Sequence, residues 1–260
     1  VPWECYQQYG DTILLSEHYD AMKRYIQYII DNTIETETNL IVQTRSWGDL
    51  CDWLGLEDEK NDKSLVWEAY FIYDLELMAK MATVLGKVTD AEWFRELHAA
   101  RKDFFNKTYI EPETGKTLFS AFVPEKKGSH IDIQTSYVLP LAFNIIDEEN
   151  RNKVIANLAE TVRRENTTDR GQQCPSYSLM TGFIGTSWIN KALSDYGHSD
   201  LAYRLLQQTS YPSWLYSIEQ GATTIWERLN SYTRTDGFGG NNRMNSFNHY
   251  SFGAVGAWMS

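Results

Sequence analysis

SLVWEAYFIYDLELMAKMATVL, residues 64–85, is apolar on nearly every face, the pattern of a helix covered on both sides, and Gly86 follows as a C-terminal cap. Beside it stands TDAEWFRELHAARKDFFN, residues 89–106, whose apolar residues form one stripe with charge elsewhere. Thr89 and Glu92 read as a capping box at its start. An inner helix buried all round is thus followed by an outer helix with one wet face. The pairing recurs. Residues 131–145 are apolar, and Asp147 then caps a polar-faced helix carrying Val154, Leu158 and Val162. FIGTSWINKALSDY, residues 183–196, is again the inner type, and SDLAYRLLQQ, residues 199–208, the outer type after a turn at Gly197. Residues 3–9 and 12–31 form a further pair at the front, while SFNHYSFGAVGAWMS, residues 246–260, reads as an inner helix without an outer mate. No segment alternates convincingly as a strand does.

Consecutive hairpins of this kind bury their doubly apolar helices only by packing them into a common layer, as an open solenoid or a closed ring. Open helical repeats have periods of about 34 to 47 residues and short uniform loops. Here a pair spans roughly 60 residues, and the connections over 33–63 and 208–245 are long, irregular and rich in Gly and Trp. The expected architecture is therefore all-α, an (α/α)6 toroid, with residues 1–260 as one domain whose helix pattern is incomplete at its N-terminal side and stops mid-pair at its C-terminal side. Long loops on a rigid scaffold are where function is expected.

Composition narrows the ligand. With 42% hydrophobic residues the chain can bury a substantial core, and a net charge of -11 without a basic block argues against nucleic acid or an anionic membrane surface as partner. No apolar run reaches the ~18 residues of a membrane helix. Nine Trp and 16 Tyr serve mainly as core, yet aromatic faces also stack on the C–H faces of sugars. Cys5, Cys51 and Cys174 are odd in number and far apart, which reads as buried thiols. Neither they nor the His residues show the short spacings of a metal site, and no phosphate-cradling loop or G-x-S-x-G elbow occurs, so no cofactor is expected. Nothing in the chain specifies a compartment or an oligomeric state.

Acid–base chemistry on a sugar calls for carboxylates in loops beside aromatic rings. Three segments qualify: Trp47-Gly48-Asp49-Leu50-Cys51-Asp52-Trp53, Gly221-Ala222-Thr223-Thr224-Ile225-Trp226-Glu227-Arg228, and Tyr9-Gly10-Asp11. In the second, Glu227 follows an apolar, β-branched run that places it at the edge of a core, unless Glu227 and Arg228 make ordinary surface ion pairs. Asp49 and Asp52 suit either a ligand role or a turn and helix-cap role, and Asp11 suits a cap. His249 could donate to a sugar hydroxyl or satisfy a neighbouring carbonyl.

Taken in order, these segments resemble bacterial α-L-rhamnosidases, inverting enzymes built on an (α/α)6 barrel. The resemblance covers essentially the whole chain. It is carried by Val1-Pro2-Trp3 with Tyr9-Gly10-Asp11, Trp47-Gly48-Asp49, Thr181-Gly182-Phe183-Ile184-Gly185-Thr186, Tyr211-Pro212-Ser213-Trp214, the Glu227 segment, and Asn248-His249-Tyr250 with Phe252-Gly253-Ala254-Val255. It implies hydrolysis of terminal α-L-rhamnose from a glycoside, oligosaccharide or polysaccharide. Glu227 would be the general base, with His249, Asp49, Trp47, Trp53 and Trp226 about the sugar. It also implies a general-acid glutamate on an acidic motif upstream of the Pro-Trp segment, so these 260 residues by themselves are expected to hydrolyse substrate poorly. Where the family has Gly-Asp-Trp, Leu50 follows Asp49, which leaves Trp47 and Trp53 both open as the stacking ring. Ser176-Tyr177-Ser178-Leu179 stands where a His-Leu pair is usual. Two other readings share the same features: a hydrolase of another neutral sugar or an unsaturated uronide on this fold, and a non-catalytic carbohydrate-binding domain.

Overall fold

The computed structural model describes residues 1–43, 50–239 and 244–260. Its helices are α1 (Pro2–Tyr9), α2 (Ile13–Thr33), α3 (Lys63–Val84), α4 (Val88–Tyr109), α5 (Gln134–Ala142), α6 (Glu148–Arg163), α7 (Phe183–Thr186), α8 (Ile189–Asp195), α9 (Ser199–Gln207), α10 (Trp214–Glu219) and α11 (Gly256–Met259). A two-residue antiparallel pair, β1 (Asn166–Thr167) with β2 (Gln173–Cys174), is the single sheet among the described residues.

The alternation of helix types appears as a two-layer arc. α3 buries residues around its whole circumference, from Leu65 and Val66 to Trp67, Glu68 and Ala69, and eight successive residues of α5 are buried. By contrast α6 buries Val154, Leu158 and Val162, and α9 buries Leu201, Ala202 and Leu205, single stripes that leave the opposite face in water. In the inner layer α5 lies between α3 and α8, and the three are backed respectively by α6, α4 and α9. The fold is the all-α toroid of hairpins.

One buried ion pair lies inside the arc. Glu68 and Arg101 are both buried, and Arg101 Nε donates to Glu68 Oε1 at 2.7 Å while its other nitrogens reach Asn39. This pair ties α3 to α4 and to the 34–41 turn.

Several helix boundaries differ from the sequence reading, each for a local reason. The capping box at Thr89 and Glu92 is not used: α4 already starts at Val88, with Lys87 at the N-cap and no side-chain cap. The turn from α3 is too tight for it. Gly86 adopts φ 69° and Lys87 N–H donates to Ala82 O at 2.9 Å, so three residues separate the helices. The inner helix over 183–196 is broken into α7 and α8 at Ser187 and Trp188. The apolar stretch over 131–145 yields only the nine residues of α5, with Pro140 inside it and Asp132 at φ 52° just before it. Residues 246–250 are not helical, because their backbone is engaged sideways with the Glu227 segment; only a 3-10 turn (Ser251–Val255) and α11 follow. At the front, α1 contributes no buried residue, so the first pair lacks an inner helix of the buried kind. Of the thiols, Cys51 and Cys174 are buried and Cys5 is half-buried. No helix among the described residues is long and apolar enough to cross a membrane.

Candidate active site

Two segments about twenty residues apart in sequence are laced together around Glu227. Glu227 N–H donates to Ser246 O at 2.8 Å, and Ser246 N–H returns a 2.8 Å bond to Glu227 Oε2. His249 N–H donates to Ile225 O at 2.8 Å, Arg228 Nε to Met244 O at 3.1 Å, and Asn245 Nδ2 to Ser231 O at 2.8 Å. The Thr224 hydroxyl donates to Phe247 O. These contacts consume backbone groups that a helix would otherwise use, which is why residues 246–250 form no helix.

Glu227 is only 7% exposed. Its ordinary alternative, a surface ion pair, is absent among the described residues: the Arg228 guanidinium turns to the Met244 carbonyl instead. One carboxylate oxygen is fixed by Ser246, and Oε1 has no hydrogen bond among the described residues. Trp226, read from sequence as a sugar contact, is 7% exposed with its ring edge-on to Phe247 at 5.2 Å. Phe247 in turn packs against Phe238 at 5.8 Å. The indole is therefore packed against Phe247 rather than an open platform, while the β-branched residues 223–225 before it stay exposed.

His249 is held by rings and by its own edge. Phe183 stacks on it with centroids 4.8 Å apart and planes at 25°, and Tyr250 lies nearly parallel at 5.4 Å. Nδ1 accepts the Ser251 N–H at 3.4 Å, which leaves the proton of the neutral ring on Nε2, the donor atom.

The third element is the turn after Cys51. Asp52 is 1% exposed, and its carboxylate collects the N–H groups of Gly182 at 2.8 Å, Ile184 at 2.9 Å and Gly185 at 2.9 Å, together with the Thr135 hydroxyl. Trp53 O accepts the remaining N–H of the series, from Phe183, at 3.0 Å. Burial pushes the Asp52 carboxyl up while these hydrogen bonds pull it down. The glycines are required by the closeness of the two backbones: a Cβ on Gly182 would lie 2.3 Å from both Asp52 O and Trp53 O. Asp52 thus has the turn-holding role, not that of a ligand. Trp53 itself is 38% exposed and opens on a cleft of about 410 Å³ bordered also by Tyr211, Asp169, Arg228, Phe238 and Phe252.

Of the residues singled out from sequence, Glu227, Trp226 and His249 are thus brought together in one loop pair, and Trp53 is joined to them through Phe183. Trp47 and Asp49 lie outside the described residues. Phe183, which bridges the two halves, was carried only inside the Thr-Gly-Phe segment; its aromatic ring in a Gly-flanked turn is the signal that pointed to it.

A two-layer arc of helical hairpins whose loops gather a sheltered glutamate, a ring-stacked histidine and an exposed tryptophan beside a cleft defines a six-hairpin glycosidase domain. Over residues 1–260 the chain matches the model of the bacterial alpha-L-rhamnosidase 6 hairpin glycosidase domain, and it belongs to that family. It is 35% identical over 265 residues to an alpha-L-rhamnosidase of Formosa agariphila, covering 100% of this chain and 25% of that protein. Among solved structures, Streptomyces avermitilis alpha-L-rhamnosidase complexed with L-rhamnose superposes with a TM-score of 0.81 at 33% identity, over 100% of this chain and 22% of that one. Native alpha-L-rhamnosidase from Aspergillus terreus gives a TM-score of 0.80 at 30% identity, over 99% of this chain and 28% of that one. The chain therefore spans about a quarter of the length of these relatives.

Proposed function

We propose that this domain belongs to an enzyme that removes terminal α-L-rhamnose with inversion, and that Glu227 is its general base. The observation that carries the reading is the state of that carboxylate: sheltered, anchored through Oε2 to the Ser246 N–H, and hydrogen-bond-free at Oε1 among the described residues. In this reading Oε1 takes a proton from water as the water oxygen bonds to the anomeric carbon. The bond to the leaving oxygen breaks on the opposite face, and a second carboxyl about 6.5–9.5 Å away protonates that oxygen. His249 Nε2–H donates to a sugar hydroxyl, and Trp53 offers its exposed face to the ring's C–H groups. That the Streptomyces avermitilis relative was solved with L-rhamnose supports rhamnose as the sugar.

Replacing Glu227→Gln in the full-length protein keeps the shape and the Ser246 contact but removes the base. The expected loss of turnover on an aryl α-L-rhamnoside is about 10²–10⁴-fold with rhamnose binding retained. NMR observation of the first-formed sugar anomer checks inversion. Unchanged turnover in the variant would refute the assignment of the base, and a change in affinity alone would favour a carbohydrate-binding domain.

A further inference from the structure

We propose that Asp52 is a positioning residue, which sets the place of His249 through Phe183 and locks it relative to Trp53. The proposal rests on the reading of His249 as a sugar contact. Four consecutive N–H groups, from Gly182 to Gly185, are bound by just two residues, Asp52 through its carboxylate and Trp53 through its carbonyl. The two chain segments are also held at one edge, where Leu56 N–H donates to Met180 O at 2.9 Å, and the 52–55 turn is closed on itself by Gly55 N–H donating to Asp52 O at 2.7 Å. This clamp fixes the Phe183 backbone through its own N–H and those of its neighbours, and its ring is the surface on which His249 lies, with Phe252 edge-on at 5.3 Å. A shift at residue 183 is therefore passed to His249 by direct ring contact.

The residue type matters. A fully buried carboxylate without a cation partner is costly, and none of the described ion pairs involves Asp52; its charge is met only by three N–H groups and the Thr135 hydroxyl. Asn at this position offers one acceptor oxygen for those four donors and points an NH2 group at the remainder. Asp52 also carries Trp53 as its chain neighbour, so one carboxylate holds two groups about 200 residues apart in sequence, Trp53 directly and His249 through the Phe183 ring.

The test compares Asp52→Asn, Phe183→Leu, Phe183→Tyr and His249→Ala in the full-length enzyme, with folding checked by circular dichroism and rhamnose affinity by calorimetry. Asp52→Asn and Phe183→Leu are each expected to weaken rhamnose binding and lower kcat/KM at least about 10-fold, whereas Phe183→Tyr retains the stack and most of the activity. Adding Phe183→Leu to His249→Ala should cost little more than His249→Ala alone, since both act through the same contact. Additive losses in that double variant, or a Phe183→Leu enzyme with unaltered affinity, would overturn the proposal. So would an Asp52→Asn enzyme that melts earlier yet binds and turns over normally. If Asp52→Asn does not fold, Phe183→Leu and the double variant carry the decision alone. Should His249→Ala leave rhamnose binding unchanged, the reading of His249 as a sugar contact fails, which is distinct from failure of the positioning role.

Discussion

At the scale of single residues, the chemistry of this domain is set by which carboxylates are left with unsatisfied oxygens. Asp52 is saturated with donors and serves the scaffold. Glu227 has one oxygen, Oε1, without a hydrogen bond among the described residues, as the proposed base requires. Glu57 is a third case: 5% exposed, it has Oε1 3.5 Å from Lys60 Nζ and Oε2 without a partner among the described residues. Burial pushes its carboxyl from 4.5 up to about 7, against the pull of the Lys60 and Arg164 charges. Between those two values the folded chain holds a proton that the unfolded chain has released, so stability falls as pH rises across that window and is level above it. The full effect is at most about 3 kcal/mol. Glu57→Gln removes the titration. Denaturant unfolding of both proteins at about pH 5 and about pH 8 should show the variant gaining relative to wild type at the higher pH, and an equal difference at both pH values would contradict this.

At the scale of elements, the glycine-flanked turn at 182–185 and the helix-ending glycine at 86 make opposite demands. Gly86 needs only the left-handed conformation, φ 69°, with nothing within 4 Å of a prospective Cβ. Gly86→Ala should cost about 1 kcal/mol, the conformational penalty alone. Gly182 is held by space instead, with three backbone atoms of residues 52–55 within 2.4 Å of where a Cβ would stand. Gly182→Ala forces the 52–55 turn away from α7 and should cost several-fold more, about 3 kcal/mol or above, together with loss of sugar binding. Thermal denaturation of the two variants side by side checks the ordering; similar melting temperatures would mean that the turns can part at little cost. The same tight approach explains why residues 183–196 do not form one helix. α7 is oriented by Asp52 and Trp53, α8 by its packing on α9 and α5, and the chain bends at Ser187 and Trp188 between them.

At the scale of the whole molecule, one contiguous core joins α3, α4, α5, α6, α8 and α9, and reaches the loop residues Leu229, Phe252 and Val255 beside the site. Scaffold and site should therefore melt together. Leu139→Ala, at a fully buried position in α5, is expected to cost about 2–5 kcal/mol. Far-ultraviolet circular dichroism from the helices and the fluorescence change lost in a Trp53→Phe comparison should still report a single midpoint, and separated midpoints would show that the loops unfold on their own. The helix alternation is written locally, in the extensive burial of α3 and of residues 134–141 against the stripes at 154, 158 and 162 and at 201, 202 and 205, so hydrophobic periodicity determined the central hairpins and their layers, though not the first pair or the last inner helix. The order of short motifs likewise determined the family, and with it Glu227 and His249 as the residues of interest. Tertiary structure decided what periodicity does not encode. It buried Trp226 against Phe247, turned 246–250 from a helix into a partner for 225–227, and joined Asp52 to Gly182 across 130 residues. The physical reason is common to all three: each outcome depends on where a backbone N–H finds its acceptor or a ring its cavity, and those partners lie far away along the chain, beyond the reach of any local pattern.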